Sequence, residues 1–154
     1  MIVKGIKSEK DLEIRIRNKL KDLFSNSAFI LLENKDVVDI VILNDKIQKL
    51  FFIELKFFKQ SHTRLGIGSE NGKGFQIEIL KSKFSYFESN LRWILATEDD
   101  DFYRFCTNEQ IRKNICNGLG EKYNSISKKL FESDEISKLT EDELIKEINH
   151  WLNQ

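Results

Sequence analysis

Val37 to Leu43 and Leu50 to Phe58 are almost uninterrupted apolar runs, separated by the turn signal Asn44-Asp45-Lys46. Runs of this length bounded by a turn read as strands, and consecutive apolar positions imply a sheet covered on both faces. Their closeness predicts an antiparallel hairpin with a somewhat long loop. Into these runs the sequence inserts three charges, Asp39, Glu54 and Lys56. Side chains alternate along a strand, so Glu54 and Lys56 project from one face, and strand pairing brings Asp39 beside Glu54. Two carboxylates in a covered sheet repel each other and lose solvation unless something compensates them.

Lys56 supplies one positive charge, and a divalent cation would supply the rest. Two carboxylate oxygens, a backbone carbonyl such as that of Leu55, and waters suit the hard octahedral preference of Mg²⁺. Mg²⁺ held there would lower the pKa of its water and neutralise charge on a phosphoryl oxygen. Lys56 would orient or help deprotonate the attacking water, or stabilise developing negative charge. The competing reading is a structural ion pair, Glu54–Lys56 or Asp39–Lys56, at a sheet edge.

Around the hairpin, Ser8 followed by Asp11 predicts a capped helix from about Glu9 to Leu23, with Leu12, Ile16 and Leu20 on its apolar face. Phe29 to Leu32 reads as a first strand. Gln60 to Gly74 reads as a loop, and Phe75, Ile79, Leu80, Phe84 and Phe87 as one further helix. Leu91 to Ala96 is a strand, and beyond Asp101 the pattern turns helical. A last helix is opened by the capping box of Thr140 and Glu143. The order predicts an α/β layer fold with a mixed sheet flanked by helices, in one domain over 1–154. Its core spans about 8–97 and its helical C-terminal extension about 98–154.

The 154 residues include 25 Lys and Arg and 25 Asp and Glu, a balance that argues against a uniformly basic nucleic-acid coat. The charges are uneven: residues 1–92 carry 17 basic and 12 acidic side chains, leaving 8 and 13 for the remainder. A polyanion should therefore approach the first part of the chain. The absence of a long apolar span or a leader pattern predicts a soluble, cytoplasmic protein with no membrane partner. Cys106 and Cys116 are too few for a disulfide framework or a four-cysteine zinc site, and are expected to pack as small apolar groups. Phe102, Tyr103 and Phe105 suit an apolar core cluster or base stacking.

Four of the seven glycines, Gly66, Gly68, Gly72 and Gly74, fall among Lys59, His62, Arg64 and Lys73. Glycine permits close approach of backbone to phosphate and the cations match its charge, so this segment is a candidate DNA grip, or else an ordinary solvated loop. It is not a P-loop: the glycine spacing is one residue short and Gly74 stands where Ser or Thr should be.

Val38-Asp39, fourteen intervening residues and Glu54-Leu55-Lys56, on two adjacent apolar strands after an amphipathic helix, resemble the PD-(D/E)xK nuclease superfamily of restriction endonucleases, Holliday-junction resolvases and repair nucleases. Val38 stands where that family often has proline. The resemblance implies a restriction endonuclease-like αβββαβ core, metal ligation by Asp39 and Glu54, and Lys56 as the catalytic lysine. It implies Mg²⁺, with Mn²⁺ substituting, and DNA hydrolysis leaving a 5′-phosphate. Many members also carry a glutamate on the first helix. Glu13 is the preferred candidate and Glu9 its competitor, with a solvated helix face as the alternative for both. Gln76 matches a glutamine that several branches place near the site, although Leu80 replaces the tyrosine that often follows it. Glu33 is a further candidate to face the metal. The substrate is a duplex site, as for a small restriction enzyme, or a branched junction. A catalytically silent binding module is the reading from another class. The Trp151 helix covers the domain's own core or builds a homodimer interface, since related enzymes often act as dimers.

Overall fold

A computed structural model of the protein describes residues 5–32, 38–67, 75–83, 86–116, 119 and 124–154. Helix α1 (Glu9–Phe24) begins where the Ser8 side chain accepts the Asp11 backbone N–H at 3.1 Å, satisfying a donor that the first turn leaves unpaired. Leu12, Ile16 and Leu20 on α1 are fully buried. Strands β1 (Phe29–Leu32), β2 (Ile40–Asn44) and β3 (Lys49–Phe58) form an antiparallel meander. Its register sets Ile40 opposite Ile53 and Asn44 opposite Lys49.

Strand β3 then pairs in parallel with β5 (Leu91–Thr97), which pairs antiparallel with β6 (Tyr103–Cys106). The result is a mixed five-stranded sheet in the order β1-β2-β3-β5-β6. The parallel step needs a crossover, supplied by the short strand β4 (Arg64–Gly66), helix α2 (Phe75–Lys81) and helix α3 (Tyr86–Asn90). Next come helix α4 (Asn108–Arg112), strands β7 (Ile115–Cys116) and β8 (Ser125–Ser127), a 3₁₀ turn at Lys128–Glu132, and helix α5 (Glu141–Leu152).

Both faces of the sheet are covered, as the apolar runs demand. On one face, Phe51, Ile53, Leu55 and Phe57 pack with α1 and with Leu144, Ile148, Trp151 and Leu152 of α5. On the other, Phe58, Trp93 and Leu95 pack with Ile77 and Leu80 of α2, Ile111 of α4 and Ile126 of β8. Each fully buried large apolar side chain contributes about 1.5–3 kcal/mol by leaving water. Two buried polar groups find partners within these layers: Trp93 Nε1 donates to Asn108 Oδ1 at 2.6 Å, and Asn44 Nδ2 to the Leu152 carbonyl at 3.2 Å. Among the described residues, no helix is long and apolar enough to cross a membrane.

Four expectations need correction. The segment beyond Asp101 is not simply helical: it contributes β6 to the main sheet and β7 and β8 to a second one. The stretch from Gln60 is not all loop, because β4 lies within it and pairs with β8, Arg64 opposite Ser127. Phe75 to Phe87 is not one helix but α2 and α3, with Lys81 ending the first. The second strand begins at Ile40 rather than Val37, so Asp39 stands just before it. The first and second misreadings share a cause: tertiary pairing overrides short-range periodicity in segments too short to carry a clear pattern. Tyr103 and Cys106 are buried and Phe105 packs against the core, while Phe102 is 36% exposed. Cys116 is half-buried.

A candidate active site beyond the end of strand β2

The β2–β3 ladder stops at Ile40, yet β3 continues to Phe58. Beyond that point β3 has backbone donors facing an edge that no strand among the described residues covers, and acidic side chains take the place of the ladder. Asp39 turns its carboxylate onto β3, where Oδ2 accepts the Leu55 backbone N–H at 2.7 Å. The Phe57 backbone N–H lies close enough to the Glu9 carboxylate, at the N-terminus of α1, to favour its charged form. An unpaired backbone donor would be costly here, so the strand edge itself draws two acids toward it.

Glu54 and Lys56 project from the β3 face that packs against α2 and α4. Glu54 is 1% exposed and Lys56 9%. Glu54 Oε2 accepts a hydrogen bond from Gln76 Nε2 of α2 at 2.7 Å. Its Oε1 is buried without a hydrogen-bond partner among the described residues. Burial raises the Glu54 carboxyl well above its ordinary range, and the neighbouring Asp39 carboxylate adds to this, with Lys56 opposing. Glu9 stays exposed as a whole residue, but its acid group senses the same cluster. Desolvation raises it, Lys56 pulls it down and Asp39 pushes it up.

Asp39, Glu54, Lys56, Gln76 and Glu9 are thus brought together, and Glu13 is not. Glu13 Oε2 pairs with Arg17 Nε at 3.2 Å and with Lys10 Nζ at 3.5 Å. Of the two glutamates, the structure places Glu9 in the cluster and Glu13 in an ion pair beside it. Arg17 escaped the sequence reading altogether: its Nη2 donates to the Asp39 backbone carbonyl. The Glu13–Arg17 spacing of four residues on one helix was the available signal.

The expected DNA grip is partly described. His62 Nδ1 accepts the Lys59 backbone N–H at 3.0 Å, and the His62 N–H returns a bond to the Lys59 carbonyl. One face of His62 therefore closes a turn. Lys59 and Arg64 are exposed. Lys128, which the sequence did not single out, donates to the carbonyls of Lys59 and Gln60 and pairs with Asp99 at 2.6 Å. It pins the segment leaving β3 to the C-terminal part of the chain. Lys73 and Glu33 lie outside the described residues.

Among the described residues, no group of three or more His, Cys, Asp and Glu side chains is arranged to hold a metal ion. The acids that do converge, Asp39 and Glu54, offer a hard oxygen donor set with an orphaned buried oxygen on Glu54. That set suits a hard divalent cation such as Mg²⁺, which takes one or two carboxylates and keeps several waters. No protein-family model matches the chain, and no curated protein is significantly similar to it.

Proposed function

We propose that this chain is a Mg²⁺-dependent DNA endonuclease with a restriction endonuclease-like core. The observation that carries this reading is the buried Glu54 carboxylate, with one oxygen unpartnered, set beside Asp39 and Lys56 at the open end of a strand pair. The Leu55 amide accounts for Asp39, but the fold has no structural use for the two acids together, because an apolar residue of similar volume at the buried Glu54 position would be at least as stable. A counter-ion and a reaction give them one.

Asp39 and Glu54 would hold the metal. When bound, Mg²⁺ acidifies a coordinated water and neutralises charge on a phosphoryl oxygen. Gln76, bonded to Glu54 Oε2, fixes which carboxylate oxygen faces the cluster. Lys56 keeps its ammonium beside the acids, where it orients the attacking water or offsets charge building on the phosphate. The water oxygen forms a new bond to phosphorus, the bond to the 3′ oxygen breaks, and that oxygen leaves with a proton. A 5′-phosphate results. Exposed Lys59 and Arg64, on the segment leaving β3, lie where a phosphate backbone would be gripped.

The test is incubation of purified protein with supercoiled, linear, single-stranded and four-way DNA in Mg²⁺ or Mn²⁺, alongside Glu54→Ala and Lys56→Ala. Cleavage of at least one substrate is expected, abolished by EDTA and reduced about 10²-fold or more in each variant. A wild type that cuts none of them, or variants that cut as well as it does, would overturn the proposal.

A further inference from the structure

We infer that Arg17 is the positioning residue that sets Asp39 against β3, with Glu13 orienting its guanidinium. Asp39 precedes β2, so no ladder hydrogen bond fixes its backbone. Two other contacts do so from opposite ends of the residue. Arg17 Nη2 holds the Asp39 carbonyl, and the Leu55 N–H holds the Asp39 carboxylate. Arg17 also has its Nε on Glu13 Oε2, and the two side chains are 21% and 25% exposed. A guanidinium is a rigid planar fork, so fixing one nitrogen fixes the direction of the others. Glu13 lies one helical turn before Arg17, and the helix that carries both is anchored by fully buried Leu12, Ile16 and Leu20. The position of α1 is thereby transmitted to the loop that carries an acid of the cluster. Freed from Arg17, Asp39 keeps one hydrogen bond among the described residues, that from Leu55, to oppose the repulsion of Glu54.

The consequence for metal affinity rests on the proposed function, whereas the positioning itself does not, and the measurements separate the two. In metal-free protein, amide hydrogen exchange at Leu55 reports the Asp39 contact. Arg17→Ala should speed that amide by about tenfold or more while the Phe57 amide, which neighbours Glu9 rather than Asp39, keeps its rate. Arg17→Lys should restore part of the protection, and Glu13→Gln should give an intermediate rate. These two variants carry the test should Arg17→Ala not fold. A uniform acceleration of all core amides, or no change at Leu55 in any variant, would overturn the inference. Mn²⁺ titration followed by electron paramagnetic resonance gives the second readout. The dissociation constant should rise about tenfold in Arg17→Ala, as for other residues that support a ligand from behind. Unchanged Mn²⁺ affinity, in a wild type whose binding needs Glu54, would count against Arg17 alone. Faster Leu55 exchange in a protein that binds no Mn²⁺ would uphold Arg17 and remove the metal reading.

Discussion

Glu54→Gln should make the protein more stable at neutral pH while ending any metal response. Glu54 is 1% exposed, its Oε2 is satisfied by Gln76, and its Oε1 is not satisfied among the described residues. The amide keeps the shape and an acceptor for Gln76, and turns a donor toward Asp39 in place of a second negative charge. Relieving an unsatisfied buried polar group is worth about 1–3 kcal/mol. At about 2 kcal/mol, and about 2–4 °C per kcal/mol for a chain of this size, the melting temperature should rise by about 4–8 °C. The gain should depend on pH. Burial and Asp39 raise the folded-state pKa of Glu54 above its ordinary 4.5. Between the two values the folded protein binds more protons than the unfolded chain, so wild-type stability falls as pH rises through that window. The advantage of the variant should therefore be near zero below pH 4.5 and widen above it. Mg²⁺ at ten times its dissociation constant would return about 1.4 kcal/mol to the wild type and nothing to the variant. Differential scanning calorimetry at pH 4, 6 and 8, with and without Mg²⁺, measures all three effects. A variant no more stable at pH 8, or an advantage independent of pH, would refute the buried-charge argument. An equal metal response in both proteins would refute the ligand role.

Lys56→Met removes the positive charge that favours ionised Glu54 and Glu9. Its destabilisation should grow between pH 5 and 8 in melting curves, and plasmid cleavage should fall at least about 10²-fold; a shift equal at both pH values would contradict this. Asp100→Ala strips the bidentate partner, at 2.8 and 2.9 Å, from Arg104, which is 1% exposed. Urea denaturation should show a loss of about 3 kcal/mol, because a buried guanidinium loses its carboxylate and keeps only long carbonyl contacts and the Phe131 ring, and a loss under about 1 kcal/mol would refute that account.

The hairpin was legible because its pattern is local: long apolar runs, a turn signal, and a period that puts Glu54 and Lys56 on one face. The ends of α1 and α5 were legible for the same reason, since Ser8 and Thr140 cap within three residues of themselves. The small sheet was not, because Arg64 meets Ser127 across more than sixty positions and both strands have three residues. No window of sequence contains that pairing. The choice between Glu9 and Glu13 was open to a finer reading. At about 100° per residue, Glu9 projects from the middle of the arc of Leu12, Ile16, Leu20 and Phe24, whereas Glu13 lies nearer its border beside Arg17. The Leu55 and Phe57 amides could not be anticipated, since their need for acids arises where β2 stops.

The last turns of α5 close over strands that lie about 100 residues earlier in the chain: Trp151 stacks edge-on with Phe51 at 4.9 Å, and the Leu152 carbonyl accepts from Asn44 Nδ2. Until α5 has been made, this face of the sheet has α1 but not α5 to cover it. The amphipathic α5 must then dock onto a waiting apolar face. A chain that stops short of α5 would leave that face half covered, an apolar surface open to proteases.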